Sequence, residues 1–185
     1  MPMPQQNGHY TYADYCTWDD SERWELIEGI PYTMSPAPSP AHQEVSSEFH
    51  RQLANFLKGK PCKVYPAPFD VRLNASDEDD TVVQPDLAVV CDRSKIDGKG
   101  CKGAPDLVVE ILSPSTARRD RMTKFQQYQQ AGVQEYWIVD PDTKTVQVCT
   151  LENGRYFVTA YADTDTAPVT VLPSCAINLQ DVFAE

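Results

Sequence analysis

The chain has 185 residues, 41% of them hydrophobic and 10% aromatic, enough for one domain with a two-layer core. Its net charge of −11 argues against a protein that coats nucleic acid through a broad basic surface, and no apolar run approaches the roughly 18 residues needed to span a membrane. The opening Met-Pro-Met-Pro-Gln-Gln-Asn-Gly lacks the basic start and apolar stretch of a secretory signal. A cytoplasmic protein is therefore expected, with residues 1–9 as a disordered tail and residues 10–185 as a single domain.

In chain order, residues 11–15 predict a short helix with Thr11 as its N-cap. Residues 24–34 read as a hairpin turning at Glu28-Gly29. The Pro-rich residues 35–40 suit neither helix nor central strand and form a connector. Val45, Phe49, Leu53, Phe56 and Leu57 recur at helical spacing, which predicts an amphipathic helix over 41–57. Residues 63–73 read as a strand whose Pro66 and Pro68 point to an edge or a bulge. The acidic run Asp77-Glu78-Asp79-Asp80 reads as a solvated loop, and residues 84–90 as the next strand.

Asp97-Gly98-Lys99-Gly100-Cys101-Lys102-Gly103 spaces its glycines like a phosphate fingerprint. It lies between two strands, however, where the fingerprint needs a strand before it and a helix after it, so a flexible loop is expected. Residues 105–112 read as a strand. Ser113-Pro114-Ser115-Thr116 starts a helix that Gly132 ends. A strand over 134–140 reaches the Asp140-Pro141-Asp142 turn, antiparallel strands over 143–151 and 155–160 flank Glu152-Asn153-Gly154, and residues 179–183 suit one helical turn. The chain shows no internal repeat.

The six cysteines, at 16, 62, 91, 101, 149 and 175, include no CxxC pair and no zinc spacing. Reduced thiols are the expectation, with Cys91 and Cys149 filling strand positions as small apolar residues. Charge is unevenly placed. From Arg93 to Lys124 eight Lys or Arg stand against four Asp or Glu, a local balance of +4 that leaves −15 for the rest. Local attraction for phosphate fits this distribution; strong nonspecific DNA binding does not.

Two strands each carry a carboxylate in or beside an apolar run, where an isolated charge is costly. Asp86 follows Pro85, which holds Gln84 extended, and precedes Leu87-Ala88-Val89-Val90. It suits metal binding, a strand-end cap or an Arg partner. Glu110 lies inside Leu107-Val108-Val109-Glu110-Ile111-Leu112. If Leu107, Val109 and Ile111 share one face, Val108, Glu110 and Leu112 share the other, an apolar surface around one carboxylate. Metal binding and a buried salt bridge both account for that. Asp106 sits on the same face as Glu110 but about 13 Å away, too far to share an ion, and marks the strand entrance. On the next helix Ala117, Arg121, Lys124, Tyr128 and Ala131 line one face, with Lys124 at the edge of the buried stripe, where a lysine also simply snorkels.

These segments resemble the Uma-type restriction-endonuclease family of the PD-(D/E)XK nuclease superfamily. The resemblance runs through Trp24-Glu25-Leu26-Ile27-Glu28-Gly29, Ser39-Pro40-Ala41-His42, Gln84-Pro85-Asp86, the stretch from Asp106 to Thr116, Asp120, Lys124 and Tyr128, and closes with residues 132–141. It implies a mixed α+β fold: a restriction-endonuclease-like core with a central mixed sheet flanked by helices, plus N-terminal and C-terminal antiparallel strands. It implies metal binding by Asp86 and Glu110, with Mg²⁺ or Mn²⁺ suited to hard carboxylate oxygens. The superfamily's lysine two residues after the second carboxylate is absent, since Leu112 stands there, and the family pattern moves that role to Lys124. Glu25 and His42 fall in family-like motifs and would complete the metal shell or orient substrate. Helix N-terminal packing accounts more readily for His42, while for Glu25 the two readings weigh equally.

The resemblance therefore implies metal-dependent hydrolysis of phosphodiester bonds in DNA by a metal-activated water. Lys124 would position or deprotonate that water or stabilise the phosphorus centre, Arg121 and Tyr128 would stand close by, and the protein would be a homodimer. Of Arg118, Arg119 and Arg121, ordinary solvated helix charges account for most, with phosphate contacts as the other reading. The acidic total and Leu112 favour a different class, a non-catalytic binding or assembly module on the nuclease fold. Hydrolysis of another phosphorylated substrate is a third reading.

Overall fold

The computed structural model describes residues 8–18, 22–34, 37–74, 76 and 79–184. Of the expected tail, only Gly8 and His9 fall among them, as do only Asp79 and Asp80 of the acidic run. The N-terminal helix is α1 (Tyr12–Tyr15), capped by Thr11 and Asp14 in a reciprocal box. β1 (Trp24–Ile27) and β2 (Ile30–Thr33) form the expected hairpin. Its turn places Glu28 at φ 51° and Gly29 at φ 75°, the left-handed pair that a two-residue hairpin needs. α2 (Pro40–Leu57) begins with Pro40 in its first turn, where the missing N–H costs nothing, and Ser39 accepts from the His42 N–H.

The remaining strands are β3 (Lys63–Pro66), β4 (Asp70–Arg72), β5 (Val82–Val83), β6 (Leu87–Val90), β7 (Ile96–Asp97), β8 (Gly100–Lys102), β9 (Leu107–Ile111), β10 (Glu135–Asp140), β11 (Thr145–Glu152), β12 (Arg155–Ala162), β13 (Thr166–Pro168) and β14 (Ala176–Asn178). α3 (Phe125–Ala131) follows a wider π-type segment at Arg119–Lys124, and α4 (Leu179–Val182) is a single turn.

Mixed sheets with flanking helices are present, as expected, but the strands divide between two six-stranded sheets and one pair. The larger core is built on β12-β11-β10-β9-β6-β3, and the second sheet runs β2-β1-β5-β4-β8-β7, with β13-β14 apart. Among the described residues, β9–β10 and β4–β8 are the pairs that run parallel. Alternation along β9 sorts its side chains as the pattern requires. Leu107, Val109 and Ile111 join Val45, Phe49, Leu53 and Leu57 of α2, with Trp137 and Val139 from β10. Val108 and Leu112 pack on the opposite face with Tyr128, Tyr136, Ile138, Ile27 and Val71. Glu110 shares that second face, between the main sheet and the segment carrying α3.

Four local expectations change. The strand expected over 63–73 is two strands in different sheets, β3 at an edge of the larger and β4 inside the smaller. Gln84-Pro85-Asp86 is an extended bridge between β5 and β6: Pro85 has no N–H to donate, and the Gln84 N–H goes to the Glu25 carboxylate instead of a ladder. Residues 97–103 are an ordered hairpin, β7–β8, and Gly100 is required because a Cβ there would meet the Asp70 carbonyl oxygen at 2.2 Å. Cys62 and Cys91 are joined in a disulfide. They follow directly in register from the Lys63–Val90 pair, so adjacency across β3 and β6, invisible as a sequence spacing, brings them together. Cys91 is therefore not a free apolar filler, whereas Cys149 is buried in β11 as expected.

Candidate active site

The bridge between β5 and β6 is pinned through the backbone N–H and the side chain of Gln84. Its N–H donates to Glu25 Oε1 at 3.0 Å, and its side-chain amide donates to Asp70 at 2.8 Å and the Tyr15 hydroxyl at 3.1 Å. Its side-chain Oε1 accepts from Arg23 Nε at 2.9 Å. With Pro85 stiffening the next residue, Asp86 is delivered to a fixed place. Its Oδ2 accepts the Ile111 N–H at 2.7 Å, so the Asp86 carboxylate lies beside the backbone that directly follows Glu110.

Glu110 is buried at 4% exposure. Its Oε1 accepts from Lys124 Nζ at 2.8 Å and from the Tyr128 hydroxyl at 2.7 Å. Lys124 also contacts Glu25 Oε1 at 2.8 Å and stands 3.5 Å from Asp120 Oδ1. The i→i+5 winding of the Arg119–Lys124 segment widens the turn, so that Asp120, Lys124 and Tyr128 all face inward. The Tyr136 hydroxyl holds this segment by donating to the Asp120 carbonyl at 3.0 Å. Lys124 was expected at the edge of the buried stripe and is instead enclosed by three carboxylates.

Burial disfavours the Lys124 ammonium, but Glu110, Glu25 and Asp120 outweigh it and hold its pKa well above the usual lysine range. Burial raises the Glu110 carboxyl well above the ordinary range; Lys124 opposes this, and Asp120, Asp86 and Glu25 add to it. Asp120 moves the same way, chiefly through burial, and its Oδ1 is buried without a hydrogen-bond partner. His42, projecting from the first turn of α2, places Nε2 3.3 Å from Asp86 Oδ2. Burial works against its imidazolium, but Asp86 and neighbouring groups raise its pKa overall. His42 therefore has a carboxylate neighbour in addition to its place at the helix start.

Glu25, His42, Gln84, Asp86, Glu110, Asp120 and Lys124 line one cavity of about 300 Å³. Of the expected site residues, the structure brings Asp86, Glu110, Lys124, Glu25 and His42 to its wall and Tyr128 directly behind Glu110. Arg121 is not on that wall; it turns to Asp140 at 2.9 Å on the exposed side of its helix. The arginine that reaches the site is Arg119, 3.5 Å from Glu25 Oε2, with its guanidinium over the Tyr32 ring at 5.0 Å. Asp120 and Gln84 carry no expected role in the site, and Arg119 carries phosphate contact only as the alternative to a solvated helix charge. An Asp four residues before Lys124 was the available signal for the first.

Hard carboxylate oxygens dominate the cavity floor. Among the described residues no three His, Cys, Asp or Glu side chains converge closely enough to hold an ion alone. Carboxylate oxygens are the donor type that hard divalent ions such as Mg²⁺ take, with water or phosphate oxygens completing the shell. Among the described residues no helix is long and apolar enough to cross a membrane.

The fold is shared with a solved structure described as a putative nuclease from Anabaena variabilis, at a TM-score of 0.76 and 20% identity over 95% of this chain and 98% of that one. An uncharacterised protein of Synechocystis is 26% identical over 156 residues, 82% of this chain and 80% of the relative. The model of the Uma2 family, described as putative restriction endonuclease, matches residues 11–180, and the chain belongs to that family.

Proposed function

We propose that this protein is a metal-dependent endonuclease that hydrolyses phosphodiester bonds in DNA, with Asp86 and Glu110 holding Mg²⁺ or Mn²⁺. A nuclease-like role is what the family description and the name of the structural neighbour support. The observation that carries the finer reading is the charge balance of the cavity floor. Lys124 contacts Glu25, Glu110 and Asp120, Arg119 contacts Glu25, and Asp86 has His42 beside it. With the four carboxylates ionised and His42 neutral, Lys124, Arg119 and Arg23 leave one negative charge in excess at the cavity, and a divalent cation relieves that excess.

When bound, the ion lowers the pKa of a coordinated water and offsets charge on the phosphate. The chain's own residues do the rest. Lys124, held charged, donates to Glu110 and Glu25 and acts as a fixed counter-charge rather than as a base. Tyr128 donates to the same Glu110 oxygen and fixes the carboxylate's orientation. Glu25 ties Lys124 to the Gln84 backbone, coupling the lysine to the arm that presents Asp86. Arg119 is placed to meet a phosphate oxygen.

The test is cleavage of a plasmid with Mg²⁺ or Mn²⁺, wild type against Glu110→Ala and Asp86→Asn. Loss of cleavage in both, with calorimetric metal binding weakened, is expected; cleavage that survives Glu110→Ala removes Glu110 from the mechanism. Leu112, buried where the superfamily pattern has lysine, favours the non-catalytic binding or assembly module. That reading predicts no metal binding at all. Lys124 Nζ, 2.8 Å from Glu110, supplies from the helix the amine that Leu112 lacks.

A homodimer belongs to the proposal as well. β12 is an edge strand with Phe157 and Val158 exposed, and its end donors are occupied: the Tyr156 N–H by Gln129 and the Ala162 N–H by Asp165. Sedimentation equilibrium decides whether a second copy associates.

A further inference from the structure

We infer that the cavity admits one unpaired nucleotide, so that the bond cut lies in a single strand, an overhang or a frayed end and not in a continuous duplex. The inference deepens the nuclease reading and rests on it for its chemistry. The cavity volume of about 300 Å³ is at the small end of small-molecule sites, room for one nucleoside phosphate and not for a stacked base pair.

Its lining is divided in kind. The charged floor is the carboxylate–lysine cluster, whereas Ala41, Leu112, Pro114 and Pro141 contribute apolar wall. Apolar wall gains nothing from a phosphate row; it suits the face of a base or sugar that has left its stack. Ser113 and Thr116 add hydroxyls 3.1 Å apart at the same wall, suited to polar sugar or base edges.

Cations point the same way. A duplex binder sets a run of Lys and Arg along two phosphate rows and draws its affinity from released counterions. Here Arg23 and Arg119 are the arginines at the cavity, each already in contact with a neighbour, Gln84 and Glu25 respectively. Arg121 is turned away to Asp140, and the chain carries −11 overall. Long-range attraction does not deliver a duplex to this floor, so affinity comes from enclosing a single unit. An unpaired nucleotide enters without the unstacking cost that extrusion from a duplex carries.

The test compares binding of a fluorescent 12-nucleotide DNA strand with that of the same sequence as a blunt duplex. Anisotropy is read with wild-type protein in chelator at low salt, so that nothing is cut. At least tenfold tighter binding of the single strand is expected. Ala41→Trp fills the cavity from an exposed helix position and should abolish that preference with no fall in melting temperature. Equal or tighter duplex binding, no binding of either probe, or a preference that survives Ala41→Trp overturns the inference. Adding Mn²⁺ separates the two readings. Equal cleavage of both probes overturns the unpaired-nucleotide pocket and leaves the nuclease standing. Single-strand binding without cleavage of either probe supports the pocket and removes the nuclease.

Discussion

Replacing Lys124 by Met keeps an unbranched side chain of similar length and removes the ammonium that three carboxylates share. Lys124 is 3% exposed and lies 2.8 Å from Glu110, 2.8 Å from Glu25 and 3.5 Å from Asp120. Breaking a buried ion pair from one side costs about 3–5 kcal/mol, because the remaining charge stays buried without a partner. For a chain of this length each kcal/mol moves the melting temperature by about 2–4 °C, so a fall of about 6–20 °C is expected near neutral pH.

The pH dependence carries a sign. Glu110 and Asp120 have folded-state pKa values above their ordinary ones, chiefly through burial. The cost of keeping them ionised is therefore present above the folded pKa and relieved as pH falls through it. The gap between Lys124→Met and wild type should shrink on moving from about pH 8 to about pH 5. Calorimetric melting at both values reads this directly. Adding Glu110→Gln to the variant should return part of the lost stability, a non-additive pair. A loss under about 1 kcal/mol, or a gap that widens in acid, would refute the account of Lys124 as the shared counter-charge.

Other consequences follow from the same contacts. Arg121 is 38% exposed in its pair with Asp140, so Arg121→Ala should cost at most about 1 kcal/mol by denaturant titration and leave plasmid cleavage intact. Arg119→Ala removes the proposed phosphate contact together with the partner of Glu25, and should lower cleavage by about tenfold or more. Phe49 is fully buried edge-on against Trp137, with ring centroids 5.9 Å apart, and Phe49→Ala should cost about 3–5 kcal/mol in urea unfolding. Glu135 is buried and accepts from Trp137 Nε1 at 2.7 Å and the Val171 N–H at 2.9 Å; burial raises its pKa despite those bonds. Its contribution to stability is complete below its unfolded pKa and declines as pH rises through the folded one. Trp137 fluorescence should titrate above the ordinary carboxylate range, and Glu135→Gln should erase that step.

Much of the fold was legible in residue order because helical and strand periods are local properties. The alternation over Leu107–Ile111 sorted two cores and placed Glu110 opposite the α2 face, and the 45-49-53-57 spacing defined the buried stripe of α2. A carboxylate in or beside an apolar run marks a site by its cost alone, so residue order by itself singles out Asp86 and Glu110. The assembly around them is not local. Glu25 meets Gln84 across 59 residues and Arg119 across 94, distances over which no periodicity in the chain carries information. Arg119 and Arg121 are near-identical neighbours in sequence, and only the π-type winding decides which reaches the cavity. Likewise, the register of β3 on β6 decides that Cys62 meets Cys91. Side-chain chemistry was written in the sequence, while tertiary packing chose its partners, because the energy of a buried charge depends on what surrounds it in space.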